Sequence, residues 1–359
     1  MEKAMKRTWI GPGVCAIATI GLVIWLISQA SAAPFKIETE SYRIPAADSG
    51  IELYIRNKHP AGVSNFSAEK ILLFVHGATY PAETAFDLPL DGLSMMDYIA
   101  QQGWDVYLVD VRGYGGSTRP PEMDVAASEN KPIVDTTVAV KDVGSAVDHI
   151  LRKRGVPKIN LMGWSWGTAI MGMYTVEHND KVNRLVLYAP LWLFKGAPPI
   201  GGDGPLPAYR TVTRDSAKDR WLKGVSESKK ADLIPAGWFE QWADATWATD
   251  PVGAKQNPPV LRAPNGVIAD LRAYWTVDKP QYDPEGIKVP TLVIHAEWDA
   301  DLPSYMAQAY FAKLSGVPYK RLVELGEGTH TIIMEKNRMQ FFHEVMAFLN
   351  EANALALSE

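Results

Sequence analysis

Cysteine is almost missing from this sequence, because its 359 residues include only one, Cys15. A single cysteine cannot form a disulfide within the chain, and Cys15 lies inside an apolar N-terminal segment. If that segment is removed, the mature chain keeps no thiol nucleophile. The sequence also lacks a Gly-rich phosphate loop and a His/Cys cluster with ligand spacing, so we expect no metal and no cofactor.

Positive charge is also scarce. The chain has 36 Lys and Arg residues against 41 Asp and Glu residues, which gives a formal net charge of −5. The basic residues are not gathered into a stripe, so we expect no nucleic-acid partner. Almost half of the residues, 47%, are hydrophobic, and this share is sufficient for the core of a globular enzyme.

The N-terminal segment has the pattern of an export signal. Lys3, Lys6 and Arg7 precede an apolar run over residues 8–28, and a small Ala-Ser-Ala motif ends at Ala32. We therefore predict cleavage after Ala32 and a secreted or periplasmic protein without stable membrane contact. The alternative is a membrane anchor through residues 8–28, because a run of this length can span a bilayer.

Strand-like and helix-like segments alternate along most of the chain. Alternating residues over 36–57 predict an antiparallel strand pair, and short apolar runs such as 71–77 predict buried strands. Helical spacing covers 133–155 and a terminal stretch over 331–354. This alternation is typical of an α/β protein with a doubly wound, mostly parallel sheet.

The alternation stops between residues 191 and 287, where Pro, Gly and Trp are frequent. We predict that residues 191–287 form a helical lid, inserted into a core made of residues 33–190 and 288–359. Residues 1–32 are assigned to the export signal or anchor. The sequence does not indicate the oligomeric state.

The segment Gly163-Trp164-Ser165-Trp166-Gly167 has the G-x-S-x-G pattern of a nucleophile elbow. An apolar strand precedes it and a helix follows it, which is the structural context that this motif requires. A sharp turn leaves room only for small residues at Gly163 and Gly167. The helix N-terminus favours a developing oxyanion. We therefore expect Ser165 to be a catalytic nucleophile.

A serine hydroxyl needs a base, and in this arrangement the acid and the histidine follow the serine along the chain. Three histidines come after the irregular region: His295, His330 and His343. His343 lies within the terminal helix, and His295 ends a strand and supports the next loop. His330 lies in a loop between the last strand and the last helix, so we predict that it is the base.

Three acidic residues in the segment HAEWDADLP are candidates for the acid. Asp299 lies at the apex of the loop and is our prediction. Asp301 is the second choice and is better placed to cap the following helix. Glu297 is expected to face the neighbouring loop.

The motifs HGAT, DVRGYGGS, GWSWGT, EWDADLP and GTH follow one another in this order. From about residue 36 onwards, the chain resembles the α/β-hydrolase superfamily. The resemblance implies an eight-stranded, mostly parallel sheet with the lid inserted after strand 6. It also implies that the backbone N–H groups of Ala78 and Trp166 form an oxyanion hole. His76 and Arg112 are then scaffold residues with internal hydrogen bonds.

Trp166 after the serine is similar to the elbow of proline iminopeptidases. The sequence differs from that family at HGATY, where those enzymes have HGGPG, and this difference argues against peptidase activity.

The chain has twelve tryptophans, and several of them lie near the predicted nucleophile or in the predicted lid. We expect Thr79, Trp164, Trp192 and Trp298 to contact the substrate. Aromatic walls favour an apolar or aromatic acyl group, carried by a small molecule or derived from a polymer.

Together these features predict an exported serine hydrolase that cleaves a carboxylic ester through an acyl-enzyme on Ser165. The same machinery would serve an aminopeptidase or amidase, a lactonase, or a hydrolase of C–C bonds in β-diketones. A ligand-binding relative without catalysis is a more remote alternative.

Overall fold

The apolar runs of the sequence form strands in the computed structural model, which describes residues 35–196, 200 and 204–351. The strands of this described part are β1 (Ile37–Pro45), β2 (Glu52–Pro60), β3 (Ile71–Val75), β4 (Asp105–Val109), β5 (Ile159–Trp164), β6 (Val182–Tyr188), β7 (Tyr209–Val212), β8 (Leu261–Pro264), β9 (Thr291–Ala296) and β10 (Lys320–Leu325).

Eight of these strands form one sheet in the order β1-β2-β4-β3-β5-β6-β9-β10. The pairs β1–β2 and β2–β4 are antiparallel, and the other neighbouring pairs are parallel. Every residue of β3, β4, β5 and β9 is buried, as expected for strands that are covered on both faces. The predicted fold class is confirmed.

Helices connect the parallel strands. The α-helices of the described residues are α1 (Ala82–Phe86), α2 (Met95–Ala100), α3 (Thr136–Arg154), α4 (Trp166–Glu177), α5 (Arg214–Trp221), α6 (Glu227–Leu233), α7 (Trp238–Ala248), α8 (Gly266–Asp270), α9 (Ser304–Lys313) and α10 (Arg338–Asn350). α3 begins where the Asp135 side chain accepts a hydrogen bond from Val138 N–H, and it ends at Gly155, whose φ is 65°. The capping side chain and the left-handed glycine explain both ends.

The terminal helix is shorter than the helical spacing over 331–354 predicts. A 3-10 turn covers Ile332–Met334, and α10 begins only at Arg338. Between them, Glu335 has extended backbone angles and a buried side chain that accepts hydrogen bonds from Thr329. The helical spacing of apolar residues gives no sign of the buried carboxylate of Glu335, which separates the turn from α10.

The chain between β6 and β9 adds no strand to the eight-stranded sheet within the described residues. It contains α5 to α8 and a separate antiparallel sheet of β7 and β8. We call the segment 189–290 the insertion. A buried ion pair between Arg262 and Asp250, 2.7 Å long, links β8 to the turn after α7.

The predicted export signal, residues 1–32, lies outside the described residues. Within the part of the chain that the structure describes, we find no helix with the length and hydrophobicity needed to cross a membrane.

Candidate active site

Ser165 lies between β5 and α4 in a backbone conformation that side chains rarely adopt. Its φ is 58° and its ψ is −122°. A Cβ atom added to Gly163 would overlap the carbonyl group of Gly167, and one added to Gly167 would lie 2.7 Å from the carbonyl oxygen of His76. The turn is therefore as tight as the predicted elbow requires.

Hydrogen bonds hold this strained turn in place. The Ser165 N–H donates to the carbonyl of Tyr188 at 2.9 Å, and the Ser165 carbonyl accepts from Thr168 N–H at 2.8 Å. The Thr168 hydroxyl donates to the same carbonyl at 2.5 Å and accepts from Leu191 N–H at 2.9 Å. A strained residue persists only where its surroundings fix it in this way, and such residues are concentrated at functional sites.

His330 and Asp299 are paired at the ends of neighbouring parallel strands. Asp299 follows β9, His330 follows β10, and Nδ1 of His330 lies 2.7 Å from Oδ2 of Asp299. The other carboxylate oxygen accepts from the N–H groups of Asp301 and Leu302 at 2.9 and 2.8 Å. Because Asp299 accepts from Nδ1, Nε2 of the neutral imidazole carries the free lone pair.

Two aromatic side chains hold the backbone of the His330 loop. The Tyr188 hydroxyl lies 2.8 Å from the His330 carbonyl, and the Trp164 indole N–H donates to the same carbonyl at 3.0 Å. Trp164 also contacts the imidazole, with ring centroids 5.5 Å apart. Trp164 therefore supports the histidine as well as lining the cleft described below.

The turn after β3 is fixed by His76. Its Nε2 accepts from the N–H of Val111 at 3.1 Å, so Nδ1 carries the proton and donates to the carbonyl of Gly77 at 2.7 Å. Complete burial lowers the pKa of His76 to about 4, so its ring is neutral. The fixed Gly77 carbonyl sets the plane of the peptide that carries Ala78 N–H.

The second predicted oxyanion donor belongs to the first residue of α4. The N–H of Trp166 is one of the four helix N–H groups that have no partner within the helix. The Trp166 indole is buried and donates to the Thr136 hydroxyl at 2.9 Å.

Other titratable residues considered from the sequence have scaffold contacts. Arg112 is buried and pairs with Asp142 at 2.5 Å and with Asp48 at 2.7 Å.

His295 donates from Nε2 to the Leu302 carbonyl at 3.1 Å. His343 is exposed on α10 and contacts the ring of Tyr98. Glu297 accepts from the N–H of Glu327 at 2.9 Å, in the neighbouring loop.

Two clefts meet at Ser165. The aromatic cleft encloses about 420 Å³ including its open mouth, and His330 lies in its wall. Its further lining residues include Thr79, Tyr80, Trp164, Trp221 and Thr331. The aliphatic cleft encloses about 320 Å³ including its mouth. Its lining residues include Trp166, Leu191, Phe194, Val267, Leu271 and Leu302.

Two of the four residues predicted to contact the substrate line a cleft, and two do not. Thr79 and Trp164 line the aromatic cleft, whereas Trp192 and Trp298 line neither of the two clefts. Trp192 is buried against Trp275 and Tyr310, with ring centroids 5.8 and 5.2 Å away. An aromatic residue can lie close to the nucleophile motif along the chain without facing the cleft, because some aromatic side chains pack in the core of the insertion instead.

Asp301 differs from its predicted role. The residue before α9 is Pro303, and within the described residues no side chain caps this helix. Asp301 instead pairs with Nε of Arg220 from α5 at 2.5 Å, and both residues line both clefts. Sequence reasoning missed Arg220, because nothing in the local pattern of the insertion shows that α5 reaches the loop after β9.

Glu335 is a second residue that the sequence analysis missed. Its buried carboxylate accepts from the Trp221 indole at 2.9 Å, and from the N–H and the hydroxyl of Thr329, the residue before His330. Desolvation raises the pKa of Glu335 to about 7 despite these donors. Glu335 thus connects α5 of the insertion to the histidine loop.

A family model described as the alpha/beta hydrolase fold matches residues 70–337. The chain belongs to the α/β-hydrolase family. This α/β hydrolase shares 27% identity over 165 residues with a probable lipase of Schizosaccharomyces pombe. The match covers 45% of the chain and only 37% of that lipase, so the chain spans little more than a third of the relative's length.

Solved structures show the same fold. An esterase from Exiguobacterium antarcticum superimposes with a TM-score of 0.54 and 17% identity, over 87% of this α/β hydrolase and 100% of the esterase. The 2-hydroxy-6-oxo-6-phenylhexa-2,4-dienoate hydrolase of Rhodococcus sp. strain RHA1 gives a TM-score of 0.57 and 15% identity, over 88% and 100% of the two chains. At these identities the likeness concerns the fold alone.

Proposed function

We propose that this α/β hydrolase is a serine hydrolase that cleaves carboxylic esters through an acyl-enzyme on Ser165. One observation carries the proposal. A serine at a strained strand-to-helix turn lines the same cleft as a histidine whose Nδ1 is held by a buried aspartate. This combination supplies a nucleophile, a base and a group that orients the base.

In the proposed reaction, the Ser165 hydroxyl attacks the ester carbonyl while Nε2 of His330 takes its proton. Asp299 stabilises the imidazolium that forms. The N–H groups of Ala78 and Trp166 donate to the oxyanion, and removal of one such donor typically costs about 10²–10³ in rate. The imidazolium then protonates the departing alcohol. Water, activated by His330, hydrolyses the acyl-enzyme and regenerates Ser165.

The two clefts support an ester with an apolar part on each side of the carbonyl. Tyr80, Trp164 and Trp221 offer flat aromatic surfaces on one side of Ser165, and Val267 and Leu271 offer aliphatic surfaces on the other. The probable lipase and the esterase named above have names consistent with an ester substrate.

We propose that the insertion acts as a lid. Trp221 and Arg220 of α5 lie in the cleft walls, together with Val267 of α8 and Leu271. A wall from a separate segment excludes water around the reacting carbonyl and strengthens the electrostatic interactions there.

Labelling with a fluorophosphonate tests the nucleophile directly. We expect the folded protein to be labelled at Ser165, as located by peptide mass spectrometry, and the variant Ser165→Ala to remain unlabelled. If the folded wild-type protein is not labelled at Ser165, the proposed function is wrong.

A pair of histidine variants tests the base. His330→Ala should lower kcat for an activated aryl ester by about 10³-fold or more, because the serine loses its proton acceptor. The matched control is His343→Ala, on the exposed face of α10, and it should change kcat less than twofold. Similar losses in both variants, or none in His330→Ala, would assign the base to another group.

A further inference from the structure

Two arginines of the insertion meet at the hydroxyl of Thr79, next to the predicted oxyanion turn. Nη2 of Arg210, from β7, lies 3.0 Å from Thr79 Oγ1. Nη1 of Arg220, from α5, lies 3.2 Å from the same oxygen. Because Thr79 Oγ1 accepts from both guanidinium groups, its own hydrogen is free to be donated to another group.

The two arginines of this cluster differ in their partners. Arg220 pairs with Asp301, whereas Arg210 forms no ion pair with any of the described residues. Arg210 donates instead to backbone carbonyls, among them that of Ala78 at 2.6 Å and that of Pro264 at 2.7 Å. The nearby carboxylate of Asp299 accepts hydrogen bonds from His330 and from the N–H groups of Asp301 and Leu302, and from neither arginine. Two guanidinium groups therefore converge on the Thr79 hydroxyl, and only that of Arg220 is paired with a carboxylate.

Arg220 is the cation that a substrate can reach. Its side chain is 25% exposed and it lines both clefts, whereas the side chain of Asp301 is only 4% exposed. No hydrogen bond joins Nη2 of Arg220 to the described residues. A partly solvated guanidinium with a free N–H group pairs well with a carboxylate, through short charge-assisted hydrogen bonds.

We propose that the substrate is an ester whose acyl or alcohol part carries a carboxylate, and that Arg220 and the Thr79 hydroxyl bind this carboxylate. The inference rests on the proposed ester hydrolysis and adds the charge of the substrate to it. Arg220 is then a specificity-determining residue, and Arg210 positions Thr79 and adds a second guanidinium group beside it.

One oxygen of the cluster favours a different ligand. Oδ1 of Asp301 is buried without a hydrogen-bond partner in the described residues, and it would accept from an ammonium group. Two neighbouring guanidinium groups repel such a cation, so we infer an anion. A cationic ester serves as the opposing probe in the experiment.

The experiment compares three 4-nitrophenyl esters of equal chain length: the hexanoate, the monoester of adipic acid and the 6-aminohexanoate. We expect kcat/KM for the adipate monoester to exceed that for the hexanoate by at least about tenfold, which is the effect of one hydrogen bond to a charged group. The difference should lie mainly in KM and should shrink as salt is added. Equal values for the two esters, or a preference for the aminohexanoate, would overturn the inference.

Variants assign the preference to Arg220. Arg220→Gln should lower the ratio of kcat/KM for the adipate monoester to kcat/KM for the hexanoate by at least about tenfold, whatever its effect on the hexanoate alone. The double variant Arg220→Gln/Asp301→Asn should behave in the same way without leaving a buried, unpaired carboxylate. The matched control is Arg214→Gln on the same helix, where Arg214 pairs with Asp244 at the surface. An unchanged preference in the folded Arg220 variants would contradict the role of this residue.

Binding to Ser165→Ala separates this inference from the proposed function, because no turnover is needed. By calorimetry, monomethyl adipate should bind at least about tenfold more tightly than dimethyl adipate, and Arg220→Gln should remove the difference. Hydrolysis of the hexanoate without any such preference would leave the esterase proposal intact and overturn the carboxylate site. Tighter binding of monomethyl adipate, together with no hydrolysis of any of the esters by the wild type, would support the carboxylate site and overturn the esterase proposal.

Discussion

Gly163 and Gly144 contact neighbouring parts of the core, but they differ in the space that a methyl group would find. At Gly163 an added Cβ would overlap the backbone of Gly167, whereas at Gly144, in α3, the nearest atom would be 3.5 Å away on Tyr174. We predict that Gly163→Ala destabilises the protein by about 1–3 kcal/mol, because the elbow must open. Its kcat should fall as well, because Ser165 moves.

Gly144→Ala is the matched control for this substitution. An alanine in a helix interior is favoured over glycine by up to about 1 kcal/mol, so this variant should be as stable as the wild type or more so. Urea unfolding and ester hydrolysis measure both effects. If Gly163→Ala keeps the wild-type midpoint and kcat, the close packing of the elbow is not what positions Ser165.

Individual residues of the candidate site were predictable to different degrees. Ser165 was chosen because its motif lies between a strand and a helix, His330 because its loop lies between the last strand and the last helix, and Asp299 because it lies at the apex of its loop; their catalytic roles stay predictions. Arg220 and Glu335 were not, because their partners Asp301 and Trp221 are far away along the chain. A local pattern does not show which distant side chain fills a wall of a cleft.

The contact between Glu335 and Trp221 joins two elements, the loop before α10 and helix α5 of the insertion. Burial raises the pKa of Glu335 to about 7 in the folded protein, from its ordinary value of 4.5. Between these values the folded state binds more protons than the unfolded state, so this group lowers the free energy of unfolding as pH rises from about 4.5 to 7. The full effect is on the order of 3 kcal/mol.

We therefore predict that Glu335→Gln flattens the pH dependence of stability. Relative to the wild type, the variant should gain stability as pH is raised from 5 to 8, as measured by urea midpoints. Glu324→Gln, at an exposed position of β10, is the control and should keep the wild-type slope. Parallel curves for the wild type and Glu335→Gln would show that the carboxylate does not titrate in this range.

Elements with a continuous apolar run were predicted well, because burial on both faces leaves a strong signal. β3 and β5 are examples, and both are completely buried. The start of α10 was predicted wrongly, because the apolar residues of the preceding 3-10 turn continue the helical spacing. Long-range burial of Glu335, rather than local preference, ends that turn.

For the molecule as a whole, the order of strands and helices was enough to predict a doubly wound α/β sheet, and the family resemblance added its eight strands. A parallel strand needs a crossover to reach its neighbour, and right-handed crossovers leave few possible topologies. No such rule limits the arrangement of the insertion, because its strands are not parallel neighbours in the main sheet. The small sheet of β7 and β8 and the course of α5 depend on packing, so the sequence indicated an interruption without its internal arrangement.

We predict that the whole chain is exported, and this prediction depends on the residues before Ala33. A basic start, an apolar run and small residues at Ala30 and Ala32 form the pattern that a signal peptidase cleaves. Expressed in a Gram-negative bacterium, the protein should be recovered from the periplasm with Ala33 as its first residue, as shown by N-terminal sequencing. Ala32→Leu should block cleavage, because the peptidase accepts only small residues there, whereas Ala33→Leu, beyond the cleaved bond, should not. A wild-type chain that keeps Met1 and sediments with membranes would instead be anchored through residues 8–28.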